Sequence, residues 1–358
     1  MKALAYNPNS EKTSFLELIE TNKPELKANN AIVKVTGVGI CGSDLLKLNR
    51  ALVKPGTILG HEMVGIIDEI APEMSQQYGF KQGDRILSSH HVPCLECDYC
   101  LRGKESLCTK FKTTNFNPGA FCEYLELSED HLKHTVQKIP GGMTDEVASF
   151  TEPVACCIKA VRHCEHMMVV ARPYLQSASL THHGPKVPDA IQTKVLVIGL
   201  GSIGLIMGQV IRHDFPNSQI TGLDLQETRL KLALELGFDQ SLSALQTDNI
   251  FNIIFLCAGA NATVDLASKH AANGAIIVVF SSTPDETHFS NNDIYYKELT
   301  VMSSYSPNLE NLKESLELLS KGEIKVDKLI SHRSNLSELG ANIRDCSSKG
   351  IKTYLDIQ

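Results

Sequence analysis

Residues 194–214 read KVLVIGLGSIGLIMGQVIRHD, and the two halves of this stretch belong to different secondary structures. KVLVI is a short, wholly apolar run rich in β-branched residues, as in a strand buried on both faces. Gly199, Gly201 and Gly204 then punctuate a turn in the spacing G-x-G-x-x-G, and SIGLIMGQVIRHD repeats apolar residues at helical intervals. Strand, glycine turn and helix in that order give each glycine its own task. The first permits a tight turn, the second lets a pyrophosphate approach the backbone, and the third lets helix pack on strand. Ser202 and Ile203 open the helix, where unbonded N–H groups and the positive dipole end suit phosphates. A glycine-rich turn with a helix-capping carboxylate is the plainer reading, but it leaves the next hundred residues unexplained.

Those residues continue the pattern. ITGLDL reads as a strand, TRLKLALELGF as a helix, IIFLCAG as a strand, ATVDLASKHAA as a helix and AIIVVF as a strand. Such alternation predicts a right-handed, doubly wound parallel sheet and an α/β fold. Asp224 ends the second strand, twenty residues after Gly204. A carboxylate there accepts hydrogen bonds from the adenine-ribose hydroxyls and repels a 2′-phosphate, which favours NAD over NADP. Arg229 is spaced either to stack on the adenine or to soften that exclusion. Ala258 and Gly259, after the third strand, complete the cofactor-binding candidates.

Upstream the character is β-rich. AIVKVTGVGI, MVGIIDEI and GDRILSS are strand-like runs punctuated by Gly and Asp, and the first helix-length apolar period is EVASFTEPVACCIKAVRH. NLKESLELLSKGEI near the end reads as an amphipathic helix and KTYLDI as a closing strand. Residues 1–152 and 300–358 are therefore expected to form one domain, and 153–299 a nucleotide-binding domain. An extended segment, 164–193, precedes the strand at 194 and is longer than a linker needs. Its prolines and the pairs His163/His166 and His182/His183 invite a metal reading, but no full ligand set accompanies them. A surface elaboration, either an oligomer contact or a flap over the interdomain cleft, explains it with fewer assumptions.

Two further clusters carry chemistry. PCLECDYCLRGKESLC contains Cys94, Cys97, Cys100 and Cys108 as C-x2-C-x2-C-x7-C, enough thiolates to close a tetrahedral structural zinc site. Cys41 in GICGSD and His61-Glu62 in GHE supply a second possible metal site.

Composition bounds the rest. A chain of 358 residues suits two domains, and 42% hydrophobic with 21% charged residues is ordinary globular composition. A net charge of -7 offers no basic footprint for nucleic acid or anionic membrane. The longest apolar runs are too short or too glycine-broken to span a bilayer. MKALAYNPNSEK lacks the apolar core of a signal peptide, so a cytoplasmic location is expected. Of eleven cysteines five are assigned to metal; Cys122, Cys156, Cys157, Cys164, Cys257 and Cys346 are scattered and read as reduced thiols.

Taken together, GVGICGSD, GHEMVG, GDRI, the four-cysteine loop, GAFCEY, TEPVACCIKA, VLVIGLGSIG, LDLQETRLKLALELG and KVDKLISHR resemble the zinc-dependent medium-chain alcohol and polyol dehydrogenases. Sorbitol and threonine dehydrogenases are the members most similar in kind. The resemblance covers nearly the full length and implies a GroES-like β-rich catalytic domain, built from both chain ends, with a Rossmann domain between them. It implies two zinc ions per chain, NAD as cofactor, an alcohol or ketone substrate, and a homodimer or homotetramer. By the same resemblance Cys41, His61 and Glu62 ligate the catalytic zinc, and Glu152 either ligates it or holds its water. Asp44 orients His61 from behind, and Ser43 is the first proton-relay hydroxyl. A histidine usual three residues after that serine is Leu46 here, followed by Lys47. The proton then leaves through water and Glu152, or with help from Lys47 or the ribose hydroxyls. The expected reaction moves a hydride between a secondary alcohol (polyol, sugar alcohol or cyclitol) and NAD. A threonine- or amino-alcohol-type dehydrogenase is the nearest rival, and a non-catalytic zinc- and NAD-binding protein the more distant one.

Overall fold

The computed structural model describes residues 1–10, 15–170, 192–282, 286–348 and 350–357. The chain divides into two compact units, Met1–Ala155 with Asn308–Gly322 and Val326–Gln358, and Cys156–Pro307 with Glu323–Lys325. In chain order the strands of the first are β1 (Lys2–Tyr6), β2 (Leu16–Glu20), β3 (Asn30–Gly39), β4 (Glu62–Ile70), β5 (Arg85–Ser88), β6 (Tyr124–Ser128) and β7 (Gln137–Lys138). The second contributes β8 (Lys194–Ile198), β9 (Gln219–Leu223), β10 (Gln240–Leu242), β11 (Phe251–Leu256), β12 (Ala271–Val279) and β13 (Thr300–Ser303). The chain then returns to the first unit with β14 (Ile330–Asn335) and β15 (Lys352–Asp356).

In the first unit β14, β15, β3, β4, β5 and β7 succeed one another across a mainly antiparallel sheet, and β6 pairs with β3. The alternating apolar residues Ala31, Val33, Val35, Met63 and Ile67 are buried in its core, beside Phe121, Leu125 and Leu127. Strand register brings distant donor residues together. Gly39, the last residue of β3, pairs with Glu62 at the start of β4 and with Tyr354 on β15. Cys41 comes two residues after β3 and His61 one residue before β4, so antiparallel pairing delivers both to one end of the sheet.

The second unit holds the α/β sheet expected from its strand–helix alternation. Its strand order is β10-β9-β8-β11-β12-β13 and every pair is parallel. The order reverses at β8, so β8 and β11 flank the point where ligands bind in such sheets. The expected boundary at 299/300 falls one strand early. TVMS at 300–303 pairs with β12 and closes the sheet edge, a pairing that four half-exposed residues do not advertise.

The helix expected over 153–163 runs from Thr151 to Val170. Val154, Cys157, Ile158, Val161 and Cys164 are all buried at helical spacing along it. Residues 164–170 are thus helix, and Cys164 belongs to a core rather than to an extended segment outside it. Of the rest of that segment, residues 171–191 lie outside the described residues. Among the described residues, no helix is long and apolar enough to cross a membrane.

Candidate metal centre and nucleotide site

Cys41 caps the helix Gly42–Asn49. It accepts from the third-residue N–H of that helix while Asp44, that residue, accepts from the Cys41 backbone N–H at 3.2 Å. This reciprocal box fixes the GICGSD turn and points the thiol and the Asp44 carboxylate into one place. Asp44 is fully buried, and its Oδ1 lies 3.3 Å from His61 Nδ1. With Nδ1 occupied by the carboxylate, Nε2 is the ring nitrogen left for a metal. Burial works against a charged His61, yet the Asp44 and Cys41 charges override it and hold the ring well above its usual pKa. Burial likewise opposes ionised Asp44, and His61 lowers it all the same. One donor atom each from Cys41, His61 and Glu62 lies within 4.8 Å of the others. A thiol, an imidazole and a carboxylate at that separation make a zinc donor set with one position to spare.

Glu152 heads the helix Thr151–Val170 and is half-buried. It is not drawn into the three-residue group, although its charge acts on Lys352 beside it. Ser43 is half-buried in the first turn of the helix capped by Cys41. Leu46 lies on that same helix, and the charge of Lys47 acts on Asp44 and on His90.

Two features escaped the sequence reading. Lys352 on β15 is buried and ion-paired through Nζ to Glu62 Oε2, with Nζ 5.6 Å from the Phe150 ring centroid. Its only signal was a lysine inside the buried strand KTYLD. The second feature is a stack of histidines, with His90 lying 4.7 Å from His61 and 3.7 Å from His91 between ring centroids. His131 Nε2 donates to the His90 carbonyl at 3.1 Å and His91 Nδ1 to the Thr114 carbonyl at 2.6 Å. Burial pushes His90 well below the usual histidine pKa, so that ring is neutral. The doublet in SSHHVPC was the available clue.

The four-cysteine loop is compact. Cys94 Sγ is 3.9 Å and Cys97 Sγ 3.6 Å from Cys100 Sγ, and all four sulfurs lie within 4.8 Å of one another. A tetrahedron with Zn–S bonds of ~2.3 Å separates its sulfurs by roughly 3.8 Å, so the loop fits zinc with no open position. The N–H groups of Cys94 and Cys97 donate to Cys108 Sγ and Cys94 Sγ. Against the burial that would raise it, N–H groups of Phe111 and Cys94 hold the Cys108 thiol down to about 6.

On the second unit the glycine turn comes directly after β8, as the spacing predicts. Gly199 has φ +92°, and a Cβ there would come within 2.6 Å of Ala258 Cβ; one at Gly204 would lie 1.9 Å from the Gly199 carbonyl oxygen. At Gly201 a Cβ would meet nothing within 4 Å. Space is kept there, at the N-terminus of the helix Ser202–Asp214 whose first residues are Ser202 and Ile203, as the approach of a phosphate would require. Gly259 is packed under the Ser282 carbonyl, beside Ala258 at the same sheet edge. Asp224 accepts from Leu200 N–H at 2.8 Å and Gln226 N–H at 2.9 Å, and Arg229 Nη1 is 3.4 Å from its Oδ2. Of the two roles its spacing suggests, stacking on the adenine or softening the exclusion, this contact selects neither; it joins Arg229 to the carboxylate itself.

Comparison with known proteins agrees with this construction. Residues 27–140 match the alcohol dehydrogenase GroES-like domain family and 202–321 the zinc-binding dehydrogenase family, together more than half of the chain. The chain is 28% identical over 357 residues to L-threonine 3-dehydrogenase of Bacillus licheniformis, covering 94% of this chain and 93% of that one. It is also 28% identical over 357 residues to sorbitol dehydrogenase of Halalkalibacterium halodurans, with 94% of both covered. A short-chain alcohol dehydrogenase of Escherichia coli CFT073, solved with NADH, superposes with TM-score 0.78 at 25% identity over 99% of each chain. With a GroES-like unit, a parallel nucleotide-type sheet and these two donor sets in one sequence, the chain belongs to the zinc-dependent medium-chain alcohol and polyol dehydrogenases.

Proposed function

We propose that this protein oxidises a secondary alcohol of the polyol, sugar-alcohol or cyclitol class with NAD, using a catalytic zinc at Cys41, His61 and Glu62 and a structural zinc at Cys94, Cys97, Cys100 and Cys108. The observation that carries it is the donor group Cys41–His61–Glu62, with its imidazole and carboxylate buried and Asp44 behind the imidazole, on a chain that also holds the phosphate-binding turn. Sorbitol dehydrogenase among the relatives supports the polyol class; threonine dehydrogenase keeps amino alcohols as the second reading.

Zinc, when bound, would lower the pKa of the substrate hydroxyl, and NAD would accept the hydride. The chain's own work is positional. Asp44 fixes the tautomer and plane of His61. Ser43 Oγ accepts the hydroxyl proton's hydrogen bond, and Glu152 takes part in the proton's exit, since Leu46 has no group to relay it. The first turn of Ser202–Asp214 receives the pyrophosphate, and Asp224 receives the adenine-ribose hydroxyls and disfavours a 2′-phosphate. The protein works as a homodimer or homotetramer in the cytoplasm, with a catalytic domain from both chain ends and a cofactor domain between them that takes in β13 as its edge strand.

The deciding experiment measures NAD reduction with purified, zinc-replete protein across polyols, cyclitols and amino alcohols. Turnover on polyols above that on threonine supports the reading; preference for threonine selects the second. Cofactor and zinc binding without turnover on any of them overturns both.

A further inference from the structure

The three strands at the metal end of the first sheet run β15, β3, β4, and Gly39 sits on the middle one between Tyr354 and Glu62. Lys352, two residues before Tyr354, shares its face of the sheet and reaches across β3 to Glu62. It can do so because the intervening residue has no side chain. A Cβ on Gly39 would lie 2.1 Å from Glu62 Oε2 and 3.1 Å from Lys352 Cε. The glycine is in ordinary extended backbone, so the need it meets is for space and not for a turn.

Both partners are withdrawn from water, Lys352 at 6% and Glu62 at 2% exposure. A buried ion pair is a poor way to stabilise a sheet, because desolvating two charges offsets most of their attraction. This pair, moreover, engages one of the three donors of the candidate metal centre. We infer that Lys352 is a positioning residue that shares the Glu62 carboxylate with the metal and so keeps Glu62 a weak ligand. The inference rests on the reading that Cys41, His61 and Glu62 hold zinc.

The consequence for the site is a division of labour. Asp44 strengthens His61 as a donor by accepting from its far nitrogen. Lys352 does the reverse to Glu62 by drawing negative charge toward an ammonium. Cys41 and His61 would then hold the ion firmly and Glu62 loosely, leaving the ion more strongly attractive to a substrate oxygen at the open position. Without the ammonium, Glu62 would bind more firmly and the open position would be harder to use.

The test is equilibrium competition between the full-length protein and a chromophoric chelator, with Zn2+ as the only added metal. Wild type, Lys352→Met, Lys352→Arg, Glu62→Gln and the double variant Glu62→Gln/Lys352→Met are compared. Lys352→Met should tighten the weaker of two zinc sites by at least about tenfold, the scale on which outer partners act on metal affinity. It should raise KM for the alcohol more than it changes affinity for NAD. Lys352→Arg should stay within about threefold of wild type, and the double variant should remain as weak as Glu62→Gln, because the gain requires the freed carboxylate. If Lys352→Met does not fold, Lys352→Gln takes its place with the same expected direction. Unchanged or weakened zinc binding in the lysine variant overturns the inference, as does an equal gain in the Glu62→Gln background. A wild type that binds one zinc alone, at the four cysteines, overturns the underlying reading as well.

Discussion

Cys41 has two tasks at once: it ends the turn out of β3 as a helix cap, and its thiol is a donor in the candidate metal group. His61 is easier to separate from the fold, since its ring partners are Asp44 and its stacking neighbour His90. His61→Ala should therefore abolish alcohol oxidation while circular dichroism keeps the native spectrum, though the melting temperature should fall because the buried Asp44 loses its partner; residual turnover of more than a few per cent would remove His61 from the site. Ser43→Ala should be milder, costing about 10²-fold in kcat, as for loss of one proton-transfer partner. At the other unit Asp224 is the residue to vary. NAD should be preferred over NADP by at least about tenfold, near 1.4 kcal/mol. Asp224→Ala should weaken NAD and flatten that preference in paired KM measurements. Equal use of both cofactors by the wild type would instead count against the carboxylate.

At the scale of the element, the loop from Cys94 to Cys108 has only short helical turns of its own, Asp98–Leu101 and Glu105–Leu107. Metal binding in such a loop is folding free energy. Cys100→Ala should lose one zinc per chain by elemental analysis and lower the melting temperature of the first unit; full stability without that zinc would refute the structural role. This loop and the β8 turn were both legible in the sequence because each rests on local spacing: ligands within fifteen residues, glycines within six. The strand–helix alternation of the second unit was legible for the same reason. Lys352 was not, because its partner lies 290 positions earlier and the two meet only through the register of β15, β3 and β4. The edge strand β13 and the full reach of the helix Thr151–Val170 were likewise settled by tertiary pairing and burial, which outweigh weak local pattern.

At the scale of the whole molecule, and apart from His61 in the metal group, whose pKa is raised, the buried histidines of the first unit and the paired histidine of the second respond oppositely to acid. His90, His91 and His131, all in the first unit, are depressed by burial, His91 to about 4. A histidine with a lowered folded-state pKa contributes stability above its unfolded value of about 6.5, and that contribution is lost as pH falls toward the folded value. For His91 the gap corresponds to at most roughly 3 kcal/mol, removed progressively between about pH 6.5 and 4. In the second unit His213 lies 2.8 Å from Asp214 and 3.1 Å from Glu323, and these carboxylates, Asp214 first, raise its pKa. Its contribution runs the other way: present below about 6.5 and lost as pH rises through the raised value, and small because the ring is 36% exposed. Mild acid should thus loosen the first unit and spare the second. Calorimetric scans from pH 7.5 to 4.5 should show the transition of the first unit falling steeply while that of the second moves little. His91→Leu keeps apolar contact with Phe111, whose ring centroid is 4.7 Å away, but cannot take a proton. It should melt lower at pH 7.5, having lost the bond to Thr114, yet show a shallower decline toward acid. A decline as steep as that of the wild type would mean that other groups, not this buried histidine, govern the acid limit of the fold.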